Sequence, residues 1–455
     1  MVALTSGWIP VTAQATGAAM LLTAIGGRSR RWLAVCLPLA AILGIGIAAA
    51  VRWYIADQGL ADDRAPVALW VWITSSGLAV AVVVLGWRGV RWWLRGVSVL
   101  AVPVCLLCVG LTVNSWVGYF PTVSSAWDRV MGHPLPGLTD QATVAALQHQ
   151  GAAPDWSTIV KVSIPADVSG FAHRSEFVSL PPAWYASTPP PRLPVVMMIG
   201  GEFGQPTDWL YAGKAQQTVK GFAKAHGGYA PVLVFPDHSG TFSNDTECVN
   251  GTRGNAADHL TKEVVPYVIS NFGVSADAAD WGVAGWSSGG TCALTLAVMH
   301  PELFGAFVDI DGQLGPNAGT KQQTIARLFG GDADAWAAFD PRTVIGNHGL
   351  YHGMSAWFSA SDATAAVYRA PADTERPAAG VPTQTPTSED HAGIANELCR
   401  VASVDGIECA VVPNPGNHDF SSAATGFAQA LPWLAGKLGA PSVPPIAMPG
   451  APPPP

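Results

Sequence analysis

A chain of 455 residues is long enough for more than one domain, and 49% of it is hydrophobic with only 12% charged. The charge is uneven: residues 1–127 hold eight Arg and three Asp but no Lys or Glu, a net +5, so a chain of net charge −8 carries −13 on residues 128–455. That asymmetry excludes one homogeneous soluble domain.

The amino-terminal part has four stretches without a charged residue, Met1 to Gly27, Trp32 to Val51, Ala65 to Trp87 and Gly96 to Trp127. Each is at least as long as the roughly 20 residues a helix needs to cross a bilayer core. Four transmembrane helices are predicted near 7–26, 32–51, 67–87 and 97–118, forming a membrane region over 1–118. The first is the most polar, through Thr12, Gln14 and Thr16; a cleaved signal peptide is its rival, but a basic leading segment is missing and further spans follow.

Arg28, Arg30 and Arg31 separate the first two spans, and Arg88, Arg91 and Arg95 the last two. An excess of arginine marks cytoplasmic loops, so both ends of the membrane region and everything beyond it are expected on the extracytoplasmic side of the cell membrane. Ten of the eighteen Trp fall before residue 128, several near the predicted span ends as an interfacial belt requires. Asp, Glu, Lys and His, the residues of ion pathways, are missing from the spans, which therefore read as an anchor.

Residues 119–155, broken by Pro121, Pro134, Pro136 and Pro154, read as an extracytoplasmic linker. Over 156–440 strand-like runs (159–164, 176–180, 195–199, 232–235, 281–284, 306–310, 355–359 and 409–412) alternate with helical patterns (209–225, 256–272, 289–300, 320–329, 390–403 and 420–438). Such alternation predicts an α/β fold with a mostly parallel sheet covered by helices on both faces. The first two strands have no helix between them and are expected to form an antiparallel edge. Residues 370–389 read as a Pro/Thr-rich surface insertion, and 441–455 as a Pro-rich disordered tail.

WGVAGWSSGGTCALTLAVM, from Trp281 to Met299, places a Gly-Trp-Ser-Ser-Gly turn between a strand and a small-residue helix. That is the setting of a nucleophile elbow, with Ser287 as nucleophile. A base must take the serine proton and an acid must orient the base, in the chain order Ser, acid, His. His418, on a glycine-containing loop after the last strand, fits the base. Asp362 is the acid expected, with Asp309 and Asp311 as rivals and Glu389 and Asp390 as weaker ones. Two backbone amides should form the oxyanion hole, that of Ser288 and one from the Gly200-Gly201 loop at Glu202 or Phe203. His348 and His352 have metal-like spacing, but Gly349 argues against a helix; no metal or cofactor is expected. Cys36, Cys105 and Cys108 lie in predicted spans, while Cys248, Cys292, Cys399 and Cys409 allow three pairings, of which Cys248 with Cys292 and Cys399 with Cys409 is preferred.

Over about residues 155–440 the chain resembles the esterase D family of α/β-hydrolases, the group that includes the secreted mycolyltransferases of mycobacteria. The resemblance rests on GWSSGGTCALTLAVMHPELFGAFVDIDG, ADHLTKEVVPYVISNFG, MIGGEFGQPTDW and GNHDF. The four-span front looks like actinobacterial membrane-anchored members. The resemblance implies an α/β-hydrolase fold, a triad of Ser287, Asp362 and His418, and oxyanion amides from Glu202 and Ser288. Where the mycolyltransferases carry Asp-Gly-Leu-Arg, this chain has Gly200-Gly201-Glu202-Phe203. The expected function is a membrane-anchored serine esterase or acyltransferase acting on lipid or sugar acyl esters, with the bilayer and not nucleic acid as its other partner. The alternative is a catalytically inactive envelope-binding or scaffold protein on the same fold.

Overall fold

The computed structural model describes residues 2–60, 65–151, 153–155, 157–371 and 386–452. They divide into two units, residues 1–133 and 134–455. Asp62, Asp63 and Arg64 of the expected external loop, and 372–385 of the expected insertion, lie outside the described residues.

The first unit contains four helices long and apolar enough to span a membrane: α1 (Trp8–Gly26), α2 (Arg30–Gln58), α3 (Val67–Gly86) and α4 (Trp92–Val117). Their outer faces expose large apolar side chains such as Leu22, Ile42, Val84 and Leu106. Packing relies on small residues, as between membrane helices, where burial of apolar surface gives no drive to associate. A Cβ at Gly44 would lie 2.5 Å from the Thr74 carbonyl oxygen, so α2 and α3 meet backbone to backbone there. Buried Arg28 donates to the Ala24 carbonyl at 2.9 Å, to the Gly86 carbonyl and to Ser98 Oγ at 2.9 Å. It thereby ties the turn after α1 to the turn between α3 and α4. α2 runs beyond the expected 32–51 because residues 52–58 contain neither Gly nor Pro to break it, and it ends where Gly59 takes up the left-handed cap at φ 66°.

The expected linker carries structure: α5 (Val123–Val130), capped by Thr122 and Ser125, and in the second unit β1 (Leu138–Thr139) and α6 (Gln141–His149), capped by Asp140. Two-residue β1 is too short to leave a period in the sequence. Among the described residues the strands continue with β2 (Thr158–Val162), β3 (Glu176–Leu180), β4 (Val195–Ile199), β5 (Val232–Phe235), β6 (Asn250–Gly251), β7 (Gly254–Asn255), β8 (Trp281–Trp286), β9 (Ala306–Ile310), β10 (Ser355–Ala360), β11 (Val367–Arg369) and β12 (Glu408–Pro413). β6 and β7 form a separate hairpin; the rest make one sheet in the order β1-β2-β3-β5-β4-β8-β9-β10-β12-β11. Its middle, from β5 through β12, is parallel, and antiparallel pairs join β2 to β3, β3 to β5 and β11 to β12.

The main covering helices are α7 (Asp208–Tyr211), α8 (Ala215–Ala225), α9 (Ala256–Asp258), α10 (Val265–Phe272), α11 (Ser288–Met299), α12 (Lys321–Phe329), α13 (Ala333–Ala337), α14 (Pro341–His348), α15 (His391–Val404) and α16 (Phe420–Lys437). Central strands covered on both faces are continuously apolar, as β4 (VVMMI) and β5 (VLVF) are. Eleven of the twelve residues of α11 are buried, which its Gly, Ala and Thr content permits by letting the helix lie close on the sheet. The expected tail departs from disorder through residue 452: Val443 and Met448 are buried, and Gly450 lies against Tyr368. The segment needs no strand ladder to be held, because Val443 and Met448 pack.

In the parallel register Gly285 stands opposite Asp309, Asp309 opposite Phe358, and Ala360 opposite Pro413. The carboxyl ends of β8, β9, β10 and β12 are therefore level. Whatever follows those strands is gathered at one rim of the sheet, the place where open α/β sheets carry their sites.

Candidate active site

Ser287 is the single residue between β8 and α11, and it turns the chain at φ 59° and ψ −127°. A non-glycine residue there is strained, so the surroundings must impose it. They do so through the Ser287 N–H, which donates to the Ile310 carbonyl at 2.9 Å, and through the Gly290 N–H donating to the Ser287 carbonyl at 2.8 Å. The turn closes only with glycine on both sides. A Cβ at Gly285 would sit 1.9 Å from the Gly289 carbonyl oxygen, and one at Gly289 would sit 2.4 Å from that of Gly200.

His418 follows β12 and stands one residue before Asp419, which caps α16 by accepting from the Ser422 N–H at 2.9 Å. Its Nε2 lies 2.9 Å from Ser287 Oγ. The imidazole is packed between aromatic faces: Trp286 at 5.1 Å between centroids, and His391, nearly parallel, at 4.7 Å. Burial, helped by His391, pushes His418 down to about 3. A neutral imidazole beside a serine hydroxyl is able to accept its proton.

Asp362, the expected acid, is not brought to His418. It is exposed, and its Oδ1 accepts from the Ala392 N–H at 2.7 Å, at the start of α15. Asp390 caps the same helix through the Gly393 N–H at 2.8 Å, and Glu389 is exposed beside it. The carboxylate that faces the base is Asp311, one residue past β9, with Oδ2 3.9 Å from His418 Nδ1. Asp311 is 2% exposed; its N–H donates to the Ser359 carbonyl at 2.9 Å, and its Oδ1 accepts from the Ser361 N–H at 2.7 Å. Oδ2 has no hydrogen-bond partner among the described residues and is directed to the histidine. At 3.9 Å the pair is an ion-pair contact longer than a hydrogen bond, and a rotation of less than about 1 Å would close it. Burial raises Asp311 to about 7, against the hydrogen bond from Ser361 and with the charges of Asp362 and Asp419. The neighbouring Asp309 is raised further, to about 8, by burial, and its Oδ1 accepts from the Gly312 N–H at 2.8 Å.

The loop after β4 passes over Ser287: a Cβ at Gly201 would lie 3.3 Å from Ser287 Cβ and 3.0 Å from the Trp286 ring. Residues 201–204 form a turn closed by the Gly204 N–H donating to the Gly201 carbonyl at 3.1 Å, with Phe203 at φ 58° and its ring 5.6 Å from that of Phe242. Glu202 is inside this turn, and Ser288 opens α11, whose first N–H groups have no partner within the helix. Arg174 anchors the loop by donating to the Gly204 carbonyl at 2.9 Å. Neither Arg174 nor His391 carries a sequence signal of its role, because both meet the site only through the fold.

Cys248 is bonded to Cys292 of α11, and Cys399 of α15 to Cys409 of β12. Cys36, Cys105 and Cys108 are free and belong to the first unit. His348 closes α14 with its ring stacked on Tyr351 at 4.0 Å, and His352 follows beyond Gly349.

Residues 173–399 match the family model named Esterase. An uncharacterized protein of Corynebacterium glutamicum is 32% identical over 272 residues, which cover 56% of this chain and 62% of that protein; the chain thus spans less than two thirds of that relative. Similar solved structures include a ferulic acid esterase (15% identity, TM-score 0.45, 62% of this chain and 99% of that one). They also include an S-formylglutathione hydrolase from Agrobacterium tumefaciens (16%, 0.44, 61% and 99%) and MPT51 of Mycobacterium tuberculosis (17%, 0.38, 61% and 99%).

Proposed function

We propose that the chain, whose residues 173–399 match the family model named Esterase, is a membrane-anchored serine esterase or acyltransferase working through an acyl-enzyme on Ser287. The observation that carries this reading is the 2.9 Å contact of Ser287 Oγ with the Nε2 of a half-buried neutral histidine, made from a strained turn.

On attack, His418 takes the Ser287 proton as Oγ bonds to the ester carbonyl carbon. Asp311 replaces Asp362 as the acid: it holds the imidazole by its Nδ1 side and stabilises the imidazolium that forms. The oxyanion is received by the amide of Ser288, strengthened by the positive end of α11, and by that of Glu202 in the loop over Ser287. His418 then returns its proton to the leaving alcohol. Water entering next gives a carboxylic acid; a second alcohol gives a transferred ester.

The substrates fit the class of lipid or sugar acyl esters, reached beside a bilayer that the four apolar helices occupy. Two disulfides in the second unit support an oxidising compartment, and the arginines of the two turns joined by Arg28 support the cytoplasmic side for those turns, hence the extracytoplasmic side for the second unit.

The test is reaction of the full chain in detergent with a fluorophosphonate, read by peptide mass spectrometry beside Ser287→Ala and His418→Ala. Modification of Ser287 that both variants lose supports the proposal. A folded wild-type chain that takes no label at Ser287 overturns it in favour of an inactive binding protein.

A further inference from the structure

We propose that Arg174 is a positioning residue that sets the oxyanion loop, and that its own position is fixed by a buried chain of ion pairs and hydrogen bonds running back to His259. This rests on the reading of Ser287 as a nucleophile served by that loop.

Arg174 lies just before β3, far in sequence from every residue of the triad. Its backbone N–H and its Nε donate to Asp237 Oδ2 at 2.6 and 2.9 Å, and its terminal NH2 reaches Asp237 Oδ1 at 2.7 Å. The guanidinium thus meets the carboxylate with both arms, and a planar fork so held has one orientation. The same NH2 reaches the Gly204 carbonyl at 2.9 Å and Ser239 Oγ at 2.7 Å. Gly204 closes the turn that holds Glu202 and Phe203 over Ser287, so its peptide plane sets the direction of the loop amides. A Cβ at Gly204 would lie 2.5 Å from the Gly201 carbonyl oxygen, which leaves the turn no looser way to close.

Asp237 is in turn fixed from behind. Its side chain is fully buried; burial pushes the carboxyl up, but the hydrogen bonds and charge of Arg174 outweigh it and hold it well below the usual range. Its N–H donates to Glu176 Oε1 at 2.9 Å, the oxygen that also meets His259 Nε2 at 3.0 Å. His259 Nδ1 meets Glu263 Oε2 at 2.7 Å, so the ring bridges two carboxylates and is held there as the imidazolium, which donates at both nitrogens. His259 lies on a single π turn, His259–Val264, that bulges the helix and directs the ring inward. A chain of contacts from His259 to the Glu176 carboxylate, from there to the Asp237 backbone N–H, and from the Asp237 carboxylate to Arg174 therefore ends on a carbonyl of the oxyanion loop. A purely structural ion pair would have no need to end on the carbonyl of a loop over the nucleophile.

The test compares the wild-type full chain in detergent with Arg174→Met and Arg174→Lys by two readouts, amide hydrogen exchange of residues 201–205 and steady-state kinetics on a p-nitrophenyl ester. For Arg174→Met, exchange of the loop is expected to rise at least tenfold while exchange in β8 and α11 is unchanged. Its kcat is expected to fall about 10- to 100-fold with KM within about twofold, as for a weakened oxyanion hole. Arg174→Lys, with one donor arm in place of the fork, is expected between the two. Loop exchange unchanged in Arg174→Met overturns the proposal, as does a rise shared by the whole sheet, which would mark a role in stability alone. Hydrogen exchange reads the loop even in a chain without activity, so failure of the esterase reading would show separately, as a wild type that neither turns over nor labels.

Discussion

Burial decides which aspartate can serve His418. A carboxylate in water gains little by facing an imidazole, whereas one withdrawn from water with a single oxygen left unpaired interacts strongly with it. Asp311 meets that condition and Asp362 does not. Asp311→Asn is expected to lower kcat by about 10³- to 10⁴-fold on a p-nitrophenyl ester, as loss of the orienting acid does in serine triads. Asp362→Asn is expected to stay within about threefold; the reverse ranking would restore Asp362 as the acid. The sequence order Ser, acid, His leaves both open, because both follow strands whose ends lie level, and only the depth of each side chain separates them. Asp309 adds a pH dependence of defined sign. Its folded value of about 8 stands above the unfolded value of about 3.9, so the folded chain holds a proton that the unfolded chain has released. Its contribution to stability is complete below about pH 4 and is lost as pH rises toward 8, at no more than about 1.4 kcal/mol per pH unit. Thermal midpoints of wild type and Asp309→Asn should therefore diverge between pH 5 and pH 8, with the wild type losing ground. A difference independent of pH would refute the buried neutral acid.

At the scale of elements, the site depends on α11 keeping its approach to β8. The Cys248–Cys292 bond ties the first turns of that helix to the loop before β6, across 44 residues. Cys248→Ser with Cys292→Ser is expected to destabilise the second unit by about 2–4 kcal/mol, seen as a lower denaturant midpoint, and to reduce Ser287 labelling along with it. Retention of both would mean that packing alone holds the helix. The central strands were legible because a parallel strand covered on both faces writes a largely apolar run into the chain, and β4, β5 and β9 begin and end where those runs do. β1, β11, α5 and α6 were not. They are short, half-exposed pieces whose place is set by pairing with β2 and β12 or by caps at Thr122 and Asp140. The nucleophile and the base were legible for another reason: the steric closure around Ser287 demands glycines at fixed offsets, and His418 sits between the last strand and the last helix.

For the molecule as a whole, the two units answer to different solvents. The first exposes large apolar side chains such as Leu22, Ile42, Val84 and Leu106 along its helices, whereas the second buries most of its own, and such an exposed apolar surface is what hydrocarbon surroundings permit. The protein is expected to stay with membranes after washing in high salt or alkaline carbonate and to leave them only in detergent; release by salt would contradict spanning helices. A membrane-impermeant fluorophosphonate added to intact cells should label Ser287 as fully as it does in lysed cells. Labelling only after lysis would place the second unit in the cytoplasm.

The most direct measurement is rapid-quench peptide mass spectrometry of the full chain mixed with p-nitrophenyl butyrate. The peptide containing Ser287 is expected to gain one butyryl group within the first turnover and to lose it again in water, or faster with an added alcohol. Release of p-nitrophenol with no acyl group on Ser287, or with the group on another residue, would contradict it.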